Sequence, residues 1–170
     1  MPARSSAHLV VLVAAATGLA GCGSASGNSA ASGSPAPTLQ LRLVTSSTDG
    51  PCSEPPLTSD APGSACGQSG TTTYQVGESL GEVTPTAVTY PGGQAARQVF
   101  TFEFDQAGSV KLGDVTREAV GEQVAVLVDG RVFSAPRVMN PITNGQLELV
   151  TTTPAEAKQV AAALHASVTS

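Results

Sequence analysis

The 170-residue chain carries 8 Lys+Arg against 13 Asp+Glu, a formal charge of −5, with 41% hydrophobic and 12% charged residues. That hydrophobic share excludes a wholly disordered acidic tail, and the lack of a basic cluster excludes a nucleic-acid partner, because phosphate binding needs a Lys/Arg patch. With 2 His and 3 Cys no metal site and no cofactor are expected, and the length suits one ordinary domain with a short appendage.

The chain opens on Met1-Pro-Ala-Arg4, weakly positive, followed by an apolar run from Leu9 to Ala20. The run is short of the ~20 apolar residues a spanning helix needs, but it has the length of a signal-peptide core. It ends in Leu19-Ala20-Gly21-Cys22, which looks like a bacterial lipobox. That likeness implies a leader over 1–21, cleavage before Cys22 and diacylglycerol on its thiol, so Cys22 is the expected lipid attachment. The alternatives are an ordinary secretory signal with a chance cysteine, or a retained anchor. A lipidated Cys22 would tether the protein to the outer side of the membrane, each buried CH₂ contributing about 0.8 kcal/mol. Residues 23–37, GSASGNSAASGSPAP, have no charge and no large apolar side chain, and read with Cys22 as a flexible tether over 22–37.

Cys52 and Cys66 remain. Outside the cytoplasm an even remainder reads as one disulfide. The intervening SEPPLTSDAPGSA is rich in Pro and Ser and cannot hold a shape by packing, so the bond reads as a staple. A redox-active pair is the alternative, but its usual Cys-x-x-Cys at a helix start is not the spacing here.

Leu39-Gln-Leu-Arg-Leu-Val44 alternates and predicts a strand. Turn formers fill the next 30 residues. Tyr74-Gln-Val76 suggests a short strand edge, and Ala87–Tyr90 another strand, ended by Pro91-Gly92-Gly93. Val99–Phe104 alternates cleanly, with Phe100, Phe102 and Phe104 on the core side. Asp105 caps a helix over 106–120, with Val110, Val115 and Ala119 as its apolar stripe and Gly121 at its end. Gln123–Val128 predicts a buried strand, Asp129-Gly130 a two-residue hairpin turn, and Arg131–Ala135 the returning strand, stopped by Pro136. Asn144-Gly145 is a further turn before a strand over Gln146–Val150. Thr153-Pro154-Ala155-Glu156 is a capped helix start, and the helix is expected to reach Ala166 with Ala157, Val160, Ala161 and Leu164 on one face. The fold class is α+β, a mostly antiparallel sheet with two main helices.

None of the common catalytic patterns is present: no Gly-x-Ser-x-Gly elbow, no His-Glu-x-x-His, no phosphate loop. His165 has no nucleophile placed near it by any motif and reads as a helix-terminal surface residue. Asp129-Gly130 lacks the further oxygen ligands of a calcium loop and reads as a turn. Thr116-Arg117-Glu118 reads as a solvated helix face, with a recognition patch as the sharper alternative. No enzyme is expected.

The order of motifs in the C-terminal half resembles the head subdomain of the first large extracytoplasmic domain of the protein translocase subunit SecD. The residues carrying the resemblance are Thr116-Arg117-Glu118, Val120-Gly121, Val128-Asp129-Gly130, Ser134-Ala135-Pro136, Ile142, Gly145, Thr153-Pro154-Ala155-Glu156-Ala157 and Leu164. It runs over 38–168, densely from residue 99, and implies a SecD-head-like fold in which Gly121, Asp129, Gly130, Pro136, Ile142 and Gly145 are structural positions. The Cys52–Cys66 loop looks like an insertion into it, and the family's membrane helices, which carry proton coupling, have no counterpart in this sequence. The expectation is therefore a lipid-anchored extracytoplasmic module that binds an exported or envelope protein or peptide, as an accessory to export. Its partners would be the membrane, through Cys22, and a polypeptide met at a sheet edge. An assembly lipoprotein with one fixed envelope partner, or a small-molecule binder, are the alternatives.

Overall fold

The computed structural model describes residues 37–95 and 97–168. The expected leader (1–21), Cys22 and tether residues 23–36 lie outside the described residues. No helix among the described residues is long and apolar enough to cross a membrane.

Chain order runs β1 (Leu39–Asp49), β2 (Gly63–Cys66), β3 (Thr72–Val83), β4 (Ala87–Tyr90), β5 (Gln98–Glu103), α1 (Gln106–Glu118), β6 (Val124–Val128), β7 (Arg131–Ser134), β8 (Gln146–Thr151), α2 (Pro154–Ala163) and β9 (Ser167–Val168). The strands form two sheets, ordered β2-β3-β1-β6-β7 and β8-β5-β4-β9. Every strand pair is antiparallel except β4 with β9. The fold is α+β, as its composition and periodicity imply.

The five-stranded sheet curls until its borders meet. Gly67, just after β2, bridges Val132 of β7, and the Gln68 amide donates to the Val132 carbonyl at 2.9 Å. The curl gives β6 two buried faces, which is why all five of its residues are buried. Val124, Val126 and Val128 enter the main core between the sheets, whereas Ala125 and Leu127 enter a smaller cluster with Ala65, Val76 and Val132.

Alternation in β5 works as its sequence implies. Phe100 and Phe102 are fully buried and Phe104 nearly so, and Phe100 meets Phe133 edge-on with ring centroids 5.9 Å apart. Asp105 caps α1 by accepting from the Gly108 amide at 2.8 Å. The α1 stripe holds at Val115 and Ala119 and is corrected at Val110, which is 53% exposed; Leu112, Gly113 and Thr116 complete the buried face. A glycine and a threonine lie on that face because the backbone of a loop comes close against it.

Two other expectations change. The short touch at Tyr74–Val76 lies near the start of a twelve-residue strand, in the part held between β1 and β2 despite its polar composition. The second helix stops at Ala163, because His165 turns into the left-handed region (φ 50°) and Ser167–Val168 pair with β4. Asp129 (φ 49°) and Gly130 (φ 71°) form the expected hairpin turn.

Candidate functional site

Borders of sheets are where a fold can accept another chain. The curl joins the outer strands of the five-stranded sheet at Gly67 and Val132. In the other sheet β9 is a two-residue border, whereas β8 presents six residues with β5 on one side and, among the described residues, no strand on the other. The direction of its backbone groups follows from one bond. The Phe104 amide donates to the Gly145 carbonyl at 3.0 Å, so by alternation Leu147, Leu149 and Thr151 bond to β5. Gln146, Glu148 and Val150 therefore turn their N–H and C=O groups outward. Asn144 Oδ1 accepts the Gln146 amide at 3.2 Å, which leaves Glu148 and Val150 as the open pair.

Beside this border the loop from Pro136 to Asn144 encloses a groove of about 500 Å³ that ends on Glu148. Met139, 71% exposed, with Pro141 and half-buried Ile142, supplies its apolar side. The loop has almost no secondary structure, and its shape comes from specific ties. The Ile142 amide donates to Thr116 Oγ1 at 2.8 Å, and that hydroxyl donates to the Leu112 carbonyl at 2.7 Å. A β-carbon at Gly113 would stand 3.3 Å from the Ile142 carbonyl, so α1 meets the loop there without a side chain. Gly145 (φ 72°) sits where a β-carbon would be 2.7 Å from Ser109 Oγ. At the other end the Val124 amide donates to the Pro136 carbonyl, the Gly121 amide donates to the Val138 carbonyl, and Arg137 donates to the Gly121 carbonyl.

The structure thus brings together four of the positions singled out in the sequence, Gly121, Pro136, Ile142 and Gly145, around one loop. Thr116 belongs with them. It is 3% exposed and bonded on both sides, so it is neither a solvated nor a recognition residue, while Arg117 faces solvent and pairs with Asp114 at 2.7 Å.

Asp129 and Gly130 lie elsewhere, at a turn whose Gly130 stands against the segment closed by the Cys52–Cys66 disulfide, which the structure contains. The Leu57 amide donates to the Gly130 carbonyl at 2.9 Å. The same segment covers Arg42, a residue that sequence reasoning passed over as the polar half of an alternating strand. Arg42 is fully buried. Its guanidinium donates to Gln40 Oε1 (2.8 Å) and to the carbonyls of Ala61 (2.8 Å), Gly77 (2.9 Å), Asp60 and Ser59. Burial pulls its pKa below the ordinary arginine value, and Asp60 pulls it back up. His165 stands at the end of α2, apart from the groove lining. Among the described residues no group of three or more His, Cys, Asp or Glu is placed to hold a metal.

A family model, the P1 head subdomain of SecDF, matches residues 72–168. Among characterised proteins, the translocase subunit SecD of Acidaminococcus fermentans is 43% identical over 56 residues, covering 33% of this chain and 13% of SecD. The SecDF of Thermus thermophilus is 38% identical over 53 residues, covering 31% of this chain and 7% of SecDF. The chain thus spans about an eighth or less of these relatives. Two solved SecDF structures share the fold at a TM-score of 0.51, each aligned over 76% of this chain. One, described as a membrane component that enhances protein export, is 23% identical over 62% of its own chain, and the other, a super-membrane-facing form, is 21% identical over 19%.

Proposed function

The chain belongs to the family of the SecDF P1 head subdomain, and on that premise we propose that it is an extracytoplasmic accessory of protein export that holds extended polypeptide along β8. The observation that supports this reading is the open border at Glu148 and Val150 beside the Pro136–Asn144 groove. An added strand would take main-chain hydrogen bonds from β8, whose six residues offer ~20 Å of length. Its alternate side chains would reach Met139, Pro141 and Ile142. Main-chain pairing is tolerant of sequence, which suits a partner that handles many different exported chains. The Leu19-Ala20-Gly21-Cys22 motif supports a lipid on Cys22 that keeps the domain at the membrane surface. The disulfide agrees with an oxidising compartment.

The test is fluorescence anisotropy of a labelled, unfolded segment of an exported protein titrated with the full chain. Glu148→Pro removes an outward N–H without touching the β5 ladder. It should weaken binding about tenfold, equivalent to about 1.4 kcal/mol. Equal binding by wild type and variant rules out the β8 border as the site. Capture of a single folded envelope protein, with no affinity for unfolded segments, would favour an assembly role. For the anchor, Cys22→Ser should move the protein from the membrane fraction to the soluble one.

A further inference from the structure

The segment from Ser53 to Pro62 is seated by polar contacts. It has three prolines, Pro55, Pro56 and Pro62, which bring no amide. It adds one apolar side chain, half-buried Leu57, to the smaller cluster and none to the main core. What holds it is a set of carbonyls and two amides. Arg42 takes the carbonyls of Ser59, Asp60 and Ala61. The Ser79 amide donates to the Asp60 carbonyl (2.9 Å), Gln40 Nε2 donates to Asp60 Oδ1 (3.0 Å), and the Leu57 amide donates to Gly130.

Gly130 is fitted to this seat. A β-carbon there would stand 2.6 Å from both the amide nitrogen and the carbonyl oxygen of Leu57. No ion pair to Arg42 is present among the described residues: its direct acceptors are neutral and come largely from the segment above it, and the Asp60 carboxylate of that segment acts on it from beyond Gln40. Such an arrangement keeps a charge out of water only while the segment stays down. The covalent cross-link is Cys52–Cys66, which ties the residue just before the segment to the last residue of β2.

We propose that Ser53–Pro62 is a redox-latched lid, held over Arg42 and Gly130 by the Cys52–Cys66 disulfide and released when that bond is reduced. The reductant is a dithiol. Its thiolate attacks the Cys52 sulfur, the more exposed of the two, and expels the Cys66 thiolate. Its second thiol then resolves the mixed disulfide. Two electrons enter the cystine, both cysteines end as thiols, and the dithiol leaves as a disulfide. Release restores water to the Arg42 guanidinium, exposing a cation on a chain of net charge −5. The rest of the fold survives because the main core contains no lid residue.

The test is amide hydrogen exchange on the full chain, oxidised and after dithiothreitol, with free thiols counted to confirm reduction. Reduction should speed exchange at Leu57 and Ser79 at least tenfold and leave β5 and β8 unchanged. The double variant Cys52→Ser/Cys66→Ser should give the same pattern without reductant. Unchanged protection at Leu57 and Ser79 in the fully reduced chain overturns the latch. So does faster exchange in β5 and β8 together with the lid, which would make the disulfide a support for the whole fold.

Discussion

The amide of Ile142 donates to the hydroxyl of Thr116, 26 residues earlier, at 2.8 Å, and this bond fixes the loop beside β8 to the inner face of α1. Thr116→Val keeps the shape of the side chain and removes the acceptor. An unsatisfied, partly buried amide costs about 1–3 kcal/mol, so the urea midpoint should fall accordingly. Thr116→Ser retains the hydroxyl and should lose less. Equal losses in the two variants would assign the effect to packing rather than to the bond.

His165 occupies a position suited to glycine, one residue beyond the helix cap with φ 50°. A β-carbon in that region costs about 1–2 kcal/mol, partly offset by the greater freedom glycine has in the unfolded chain. His165→Gly should therefore raise the thermal midpoint by a few degrees, a gain of roughly 0.5–1 kcal/mol, and His165→Ala should not. A drop with glycine would mean that the imidazole makes a stabilising contact.

Thr151 is fully buried, and among the described residues its Oγ1 has no hydrogen-bond partner, nor, across the ladder, has Gln98 Oε1. An unsatisfied buried hydroxyl costs about 1–3 kcal/mol. Thr151→Val, of nearly the same volume, should be neutral or stabilising in denaturant unfolding. A loss above 1 kcal/mol would sink this reading.

Tyr74 titrates above its ordinary value of 10.0, chiefly through burial and then through the charges of Asp49 and Glu156. A folded-state pKa raised above the unfolded one gives stability that is complete below about pH 10 and is lost as pH climbs through the folded value. Tyr74→Phe should flatten that part of the stability curve. An unchanged slope above pH 10 in the variant would assign the loss to other groups.

Much of the C-terminal half was legible because its signals are local. Asp105 and Thr153 cap helices by side-chain bonds within three residues, and Asp129-Gly130 closes a turn through its own backbone. Even there the detail differed. Glu156 reaches back to the amide and hydroxyl of Thr152, not to the cap residue itself. The N-terminal half was harder to read. Its strands gain their order from partners distant in sequence, as β3 does from β1 and β2. Arg42 was least legible, because a charged residue in an alternating strand signals solvent. Only the disulfide-closed segment, folded across that face, reverses the meaning. The groove was illegible for a related reason: Thr116 and Gly113 serve a loop backbone, and no hydrophobic period records that.

The seam between Gly67 and Val132 also bears on self-association. Fibre growth by strand addition needs two complementary open borders on each molecule, one to receive and one to extend. Here the five-stranded sheet joins its outer strands at that one seam, and β9 offers two residues. Among the described residues that leaves two long borders, β8 and the part of β3 from Gly77 to Val83 that lies beyond β2. On the second of these the Ser79 amide donates to the Asp60 carbonyl, so the segment closed by Cys52–Cys66 stands between that border and a second copy.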